Sequence, residues 1–101
     1  MKPKQSEAEI TKAIRALLKN LGIWHWKNWS GPMTYPKGIS DILGIWQGKM
    51  LAIEIKTVTG KVSPDQQRFI DSVNAAGGIG FIAYSVDDVI DALGVRDRFL
   101  F

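Results

Sequence analysis

Two apolar runs separated by three residues restrict the possible folds of this chain more than any other feature. Residues 39–46 and 50–58 are rich in β-branched and aromatic side chains, and residues 47–49 (Gln-Gly-Lys) lie between them. Two such runs joined by a short glycine-containing segment are typical of a β-hairpin. The centre of the chain is therefore predicted to form two antiparallel strands.

The length of the hairpin turn decides which side chains meet across the strands. A two-residue turn places Asp41 opposite Glu54, with Lys56 further along the same face. Opposed Cβ atoms lie roughly 4.5–5.5 Å apart and like charges there are destabilising, so the two acids would need a compensating divalent cation. A three-residue turn would set Asp41 opposite Ile55 instead and separate the acids. The alternation around Glu54 also fits any half-solvated strand.

The remaining segments have the periodicity and the end signals of helices and strands. The predictions are a helix from Ser6 that Gly22 ends, a strand over 23–29, a loop over 30–38, a helix from Ser63 that ends by Gly77, a strand over 79–84 and a helix over 85–93. This order predicts one mixed α/β domain over residues 1–101.

The composition limits the chemistry available to the domain. The chain has no cysteine, which excludes disulfides and thiolate metal sites, so carboxylates, carbonyls, water or His25 must hold any metal. Oxygen ligands favour a hard cation such as magnesium. A formal net charge of +3 suits a phosphate-bearing partner, although many unrelated domains are as basic. Because we expect neither a secretory signal nor a membrane span, we expect a cytoplasmic protein.

The first predicted helix adds a third acid. Successive helical residues turn by ~100°, so Glu7 lies on the apolar stripe of Ile10 and Ile14, whereas Glu9 falls outside it. An acid at the end of such a stripe lies either beside a polar pocket or at a frayed end. Both glutamates also fit the simpler interpretation that acids favour a helix N-terminus.

The acids and the lysine resemble a known motif. Asp41, a gap of twelve residues and then Glu54-x-Lys56 resemble the split motif of PD-(D/E)XK nucleases. Further agreement lies in residues 6–10 (SEAEI), 38–44 (GISDILG), 51–56 (LAIEIK), 60–67 (GKVSPDQQ), 76–78 (AGG) and 85–88 (SVDD). Over nearly its full length the chain resembles a minimal VRR-NUC domain, the virus-type replication-repair nuclease family. Ser40 replaces the proline of the wider class, as is usual in this branch.

The resemblance implies a fold and a set of site residues. The implied fold is a PD-(D/E)XK restriction-endonuclease-like αβββαβ core, with a mixed central sheet flanked by helices. The implied catalytic residues are Glu7, Asp41, Glu54, Lys56 and Gln66. The implied ligands of Mg²⁺ or Mn²⁺ are Glu7, Asp41, Glu54 and the Ile55 carbonyl. Lys56 would position or help deprotonate the attacking water. Gln66 would lie near the site, or would serve as the capping-box partner of Ser63.

The resemblance also implies an activity and partners. Free-standing members of this size resemble phage-encoded homodimers that cleave branched DNA, including four-way (Holliday) junctions. We therefore expect a metal-dependent, structure-selective endonuclease. We expect it to be encoded by a phage or a bacterium and to act inside the cell. The alternatives are a module that binds branched nucleic acid without cutting it, and a subunit of a replication or repair assembly.

Side chains outside the acid set provide candidate DNA contacts. Exposed aromatic residues could stack on bases and lysines could bind phosphates. The candidates are Lys27, Trp29, Tyr35, Lys37 and Lys61, with Lys12 as a further lysine. Each has an alternative, because aromatics are more often core residues and lysines are more often solvated. For His25 we predict a structural role rather than that of a catalytic base.

Overall fold

Four strands and three α-helices build the part of the chain that the computed structural model describes, residues 5–29 and 35–99. In chain order they are α1 Glu7–Asn20, β1 Trp24–Lys27, β2 Ile42–Trp46, β3 Lys49–Ile55, α2 Pro64–Ala75, β4 Ile79–Ala83 and α3 Val86–Leu93. The order of the elements is the predicted one. A 3-10 helix over Arg96–Phe99, which the sequence analysis did not predict, follows α3.

The strands form one mixed sheet in the order β1-β2-β3-β4. The β1–β2 and β2–β3 pairs are antiparallel, and the β3–β4 pair is parallel. The predicted αβββαβ arrangement with a mixed central sheet is therefore confirmed. None of the described helices is long and apolar enough to cross a membrane.

The hairpin between β2 and β3 has a two-residue turn. Trp46 pairs with Lys49, and the two residues between them have positive φ angles, 52° at Gln47 and 78° at Gly48. Positive φ at both positions is characteristic of the type I′ turn, whose twist matches that of the flanking strands. Of the two turn lengths that the sequence left open, the structure has the two-residue turn. The same register, continued by one position beyond the Ile42–Ile53 pair, places Asp41 opposite Glu54.

Helices cover both faces of the sheet, so β3 is buried on both sides. On one face Leu51, Ile53 and Ile55 belong to a core cluster that includes α1 and α3 residues. On the other face Ala52 packs in a smaller cluster with Val73 of α2. A central strand with two covered faces has no solvated side. The alternative of a half-solvated strand around Glu54 is therefore wrong.

Each predicted strand is shorter in the structure, and the strand predicted over 79–84 ends at Ala83. The strand predicted over 23–29 comprises Trp24–Lys27, the run 39–46 becomes a strand only at Ile42, and the run 50–58 ends as a strand at Ile55. A side chain explains the differences in the runs 39–46 and 50–58. The Ile55 N–H donates to Asp41 Oδ2 at 2.7 Å, where a continued ladder would supply a backbone carbonyl. The backbone hydrogen bonding between β2 and β3 therefore ends at Asp41, whose side chain takes the place of a backbone acceptor.

Candidate active site

The site lies where β2 begins and β3 ends. Asp41 directly precedes β2, Glu54 is the penultimate residue of β3, and Lys56 follows that strand. The Lys56 ammonium nitrogen is 3.8 Å from Glu54 Oε2, and the Glu54 side chain is only 2% exposed. The structure therefore brings Asp41, Glu54 and Lys56 together, as the hairpin register predicts.

Glu54 carries a carboxyl group in an environment that disfavours its charge. Burial is the largest cause, followed by contact with the Asp41 carboxyl group and its charge, and by the more distant charge of Glu7. The Lys56 ammonium offsets only part of this, and the pKa of Glu54 rises from 4.5 to about 8. Such a shift is common at functional sites, where burial and like charges are arranged around a reacting group.

The two carboxyl oxygens of Glu54 differ in their hydrogen bonding to the described residues. Oε2 accepts a hydrogen bond from Gln66 Nε2 at 3.2 Å. Oε1 is buried and has no hydrogen-bond partner among the described residues. An unpaired buried carboxylate oxygen costs free energy unless a cation or a donor satisfies it. This oxygen, beside a second carboxylate, fits a hard divalent cation.

Asp41 is fixed by the backbone on both sides. Its carboxylate accepts the Ile55 N–H at 2.7 Å, and its carbonyl accepts the Asn28 N–H at 2.7 Å. These bonds connect β1, β2 and β3 at one point. Asp41 therefore has a structural role as well as a site role, and the backbone of Ile55 adjoins both acids.

Gln66 has both of the roles that the sequence left open. Its Oε1 accepts the Ser63 N–H at 2.9 Å, which completes the capping box of α2. Its Nε2 donates to Glu54 at 3.2 Å. One amide therefore begins the helix and holds the buried carboxylate. The first turn of α2 comes this close because it packs on Gly38, where an added Cβ would lie 2.5 Å from Gln66 N.

Glu7 is not gathered with the other acids. It is the first residue of α1 and is exposed, and its charge is the weakest of the causes that raise the pKa of Glu54. Within residues 5–29 and 35–99, no three His, Asp or Glu side chains are grouped closely enough to hold a metal ion. Asp41 and Glu54 form the pair, and Glu7 acts on Glu54 through its charge alone among the described contacts.

The predicted DNA contacts lie at separate places. Lys27 Nζ is 5.5 Å from the ring centroid of Trp29, which is exposed. Tyr35 and Lys37 lie together in a hollow beside α2. Lys61 is exposed in the segment that precedes α2.

The aromatic residues of β1 are exposed. Trp24 and Trp26 are 66% and 40% exposed, and their ring centroids lie 5.0 Å apart. The interpretation of these aromatics as core residues is wrong, because β1 is an edge strand. His25 makes structural contacts, with Nδ1 at 2.9 Å from the Ile23 carbonyl.

Sequence reasoning missed two features of the described residues. Ser40 is fully buried and its Oγ has no hydrogen-bond partner there; nothing in the sequence indicates this. Arg15 and Lys19 join Lys12 on one side of α1. Their spacing of three and four residues could have revealed them, since such positions share a helical face.

Comparisons with known proteins agree with this fold. The sequence model of the VRR-NUC domain family matches residues 4–87, a range that includes both acids, Lys56 and Gln66. A solved structure described as a VRR_NUC domain superposes with a TM-score of 0.70 at 22% identity, and the match covers 89% of this chain and 96% of that chain. At this identity the likeness shows the fold. No curated protein matches the chain significantly.

Proposed function

We propose that this chain, which belongs to the VRR-NUC domain family, is a metal-dependent endonuclease that hydrolyses phosphodiester bonds in branched DNA. Membership of the family implies a nuclease-type function and DNA binding. The metal dependence, the branched substrate and the residue roles below are the proposal. The observation that carries it is the pairing of Asp41 with a buried Glu54 whose Oε1 has no partner among the described residues.

The donor set fits a divalent cation. Asp41 and Glu54 would hold Mg²⁺ or Mn²⁺, together with the Ile55 carbonyl, and Glu7 would approach from the end of α1. Bound there, the cation would polarise the scissile phosphate and lower the pKa of water. In that state the charge of the cation would replace the proton that the pKa of about 8 keeps on Glu54 at neutral pH.

The protein residues would orient the reacting groups. The Lys56 ammonium, 3.8 Å from Glu54 Oε2, would hold a water beside the acids and offset charge on the phosphate. Gln66 would keep the Glu54 carboxylate in place, because its amide is fixed at the start of α2. The hydrogen bond from the Ile55 N–H would do the same for Asp41.

Branched DNA exposes unstacked bases, and the exposed aromatic side chains of this chain support such a substrate. Trp29 and Tyr35 are 87% and 90% exposed. We further propose a homodimer, in which two sites act on two strands of a junction inside the cell.

A cleavage assay tests the proposal. End-labelled linear, flap and four-way DNA would be incubated with Mg²⁺ or Mn²⁺. We expect wild type to cut the branched substrates, Lys56→Met to lose at least about 100-fold in rate, in the range of a lost acid–base group, and Asp41→Asn to be inactive. Lys49→Met, which removes an exposed lysine at the far end of β3, is the matched control and should cut normally.

The outcomes separate the alternatives. Binding of branched DNA without cutting in either metal would favour the non-cleaving module. Equal cutting of linear and branched DNA would refute the substrate preference and leave the nuclease proposal standing. Full activity of Lys56→Met would refute the site.

A further inference from the structure

A second concave surface lies between α1 and β1. It is a groove with a volume of about 710 Å³. Its charged lining comprises Lys12, Arg15, Lys19 and Lys27, with His25 between them. Within the described part of the chain, no Asp or Glu lines this groove. We refer to these side chains as the α1–β1 groove.

The helix builds one wall of the α1–β1 groove. The core side of α1 carries Ile10, Ile14, Leu17 and Leu18. Lys12, Arg15 and Lys19 are spaced by three and four residues and so share another side. They extend over about 10 Å of the helix axis, at 1.5 Å per residue. The small side chains of Ala8, one turn before Lys12, and of Ala16, between Arg15 and Lys19, also line the groove and leave the space open.

The strand builds the other wall and orients an arginine. His25 Nδ1 lies 2.9 Å from the Ile23 carbonyl and donates to it. Nε2 of the same ring is then an acceptor, and Arg15 Nε donates to it at 3.5 Å. This contact holds the Arg15 guanidinium against β1 and uses its Nε. The terminal nitrogens of Arg15 can therefore serve a ligand.

Two residues that line the α1–β1 groove are close along the chain or across the sheet to residues of the candidate site. Ala8, at one end of the groove, follows Glu7 in α1. Lys27 pairs with Ile42, the residue after Asp41. The Asn28 N–H, one residue further, donates to the Asp41 carbonyl. A ligand lying along the groove would therefore come close to Glu7 and to the start of β2, which Asp41 precedes.

We propose that the α1–β1 groove binds the phosphate backbone of a DNA duplex arm, independently of base sequence, and leads that strand to the acid pair. This rests on the proposed nuclease function. One strand of B-DNA carries a phosphate about every 3.4 Å along its axis, so the ~10 Å row on α1 spans about three phosphates. Four cations with no acid beside them in the described groove match such a charge row.

Salt-dependent binding tests the α1–β1 groove separately from cleavage. Fluorescence anisotropy of a labelled duplex, in EDTA so that no cutting occurs, would be measured at several salt concentrations. The test variant carries Lys12→Gln, Arg15→Gln and Lys19→Gln. The matched control carries Lys49→Gln, Arg68→Gln and Arg98→Gln, which remove the same charge elsewhere on the exposed surface.

We expect the groove variant to lose at least about ten-fold in affinity, and its slope of log K against log salt to fall by nearly 3, since each phosphate contact contributes about 0.9. The control should change the slope by less than about 1. Equal losses in both variants, or no duplex binding by wild type, would overturn the groove proposal. Because EDTA removes catalysis, an inactive wild type that still shows the expected difference would refute only the nuclease proposal.

A single substitution tests the same prediction with less risk of unfolding the protein. Lys19→Gln alone changes one exposed side chain near the end of α1 and should reduce the slope by about 0.9. Circular dichroism and thermal unfolding would confirm that each variant is folded. A folded Lys19→Gln protein with an unchanged slope would contradict the role of the helix row.

Discussion

The substitution Glu54→Gln should remove a pH dependence of stability in the metal-free protein. The pKa of Glu54 is 4.5 in an unfolded chain and about 8 in the fold. A shift of one unit corresponds to about 1.4 kcal/mol, so ionising Glu54 costs the fold up to roughly 5 kcal/mol. Water reaching the rim of the site, beside the partly exposed Lys56, will reduce this to a smaller value, and we expect about 2–4 kcal/mol.

The sign follows from proton binding. Between pH 4.5 and 8 the folded protein keeps a proton on Glu54 that the unfolded chain has lost. The free energy of unfolding therefore falls as pH rises through this window. The contribution is complete below pH 4.5 and lost above pH 8. Glutamine resembles the protonated acid. The free energy of unfolding of Glu54→Gln should therefore equal that of wild type near pH 4.5 and exceed it at pH 8.

Urea unfolding in EDTA at a series of pH values measures this difference. Subtracting the free energy of unfolding of the variant from that of wild type at each pH cancels the contribution of the other titrating acids. Asp97→Asn, which removes an exposed charge far along the chain, is the control and should follow wild type at every pH. A wild type that is no less stable than Glu54→Gln at pH 8 would refute the account of the buried acid.

Three further predictions concern the residues around this acid. Asp41→Ala should lower the free energy of unfolding by about 1–3 kcal/mol, because it leaves the buried Ile55 N–H unpaired. Asp41→Asn keeps an acceptor and should lower it less, as calorimetry would show. Equal melting temperatures of the two variants would contradict this. Gln66→Glu keeps the capping-box acceptor but sets a carboxylate against Glu54, so helix content should persist while cleavage falls at least about ten-fold; unchanged cleavage would count against the positioning role. Gly38→Ala should lower the free energy of unfolding in urea by more than about 1 kcal/mol, because φ at Gly38 is +74° and the added Cβ would collide with α2. The loss should exceed that of Gly77→Ala, where space is open. Equal losses would show that the contact with α2 is unimportant.

The centre of the site could be predicted from sequence because two local signals determine it. Gln47-Gly48 between two apolar runs predicts a hairpin, and a two-residue turn, which the structure has, places Asp41 against Glu54 by strand alternation. The two roles of Gln66 could not be separated in this way. The capping-box role is local to α2, whereas the contact with Glu54 follows from the approach of α2 to β3, which is a tertiary contact.

The β1 strand shows what periodicity cannot give. The sequence of β1 is rich in aromatic residues, which are usually buried. Whether they are buried here depends on which strands the helices cover, and a local sequence pattern does not determine that. In the structure α2 contacts β3 and β4, and Trp24 and Trp26 remain exposed on the edge strand. The groove beside β1 depends on the same arrangement, because α1 and β1 meet only in the folded sheet.

Glu7 shows a similar limit. Glu7 is exposed, and its charge is among those that raise the pKa of Glu54. How far a helix extends along the sheet depends on packing with β3 and α3. The sequence therefore predicts the angle of Glu7 around α1 and cannot predict its distance from Asp41.

Titration of the metal-free protein with Mn²⁺, followed by the electron paramagnetic resonance signal of free Mn²⁺, tests the central claim most directly. The buried pair of Asp41 and Glu54 should bind one ion at pH 8. Asp41→Asn and Glu54→Gln should each weaken that binding at least about ten-fold, as loss of a ligand carboxylate does, while Asp97→Asn binds like wild type. Binding of equal strength in all four proteins would contradict the claim.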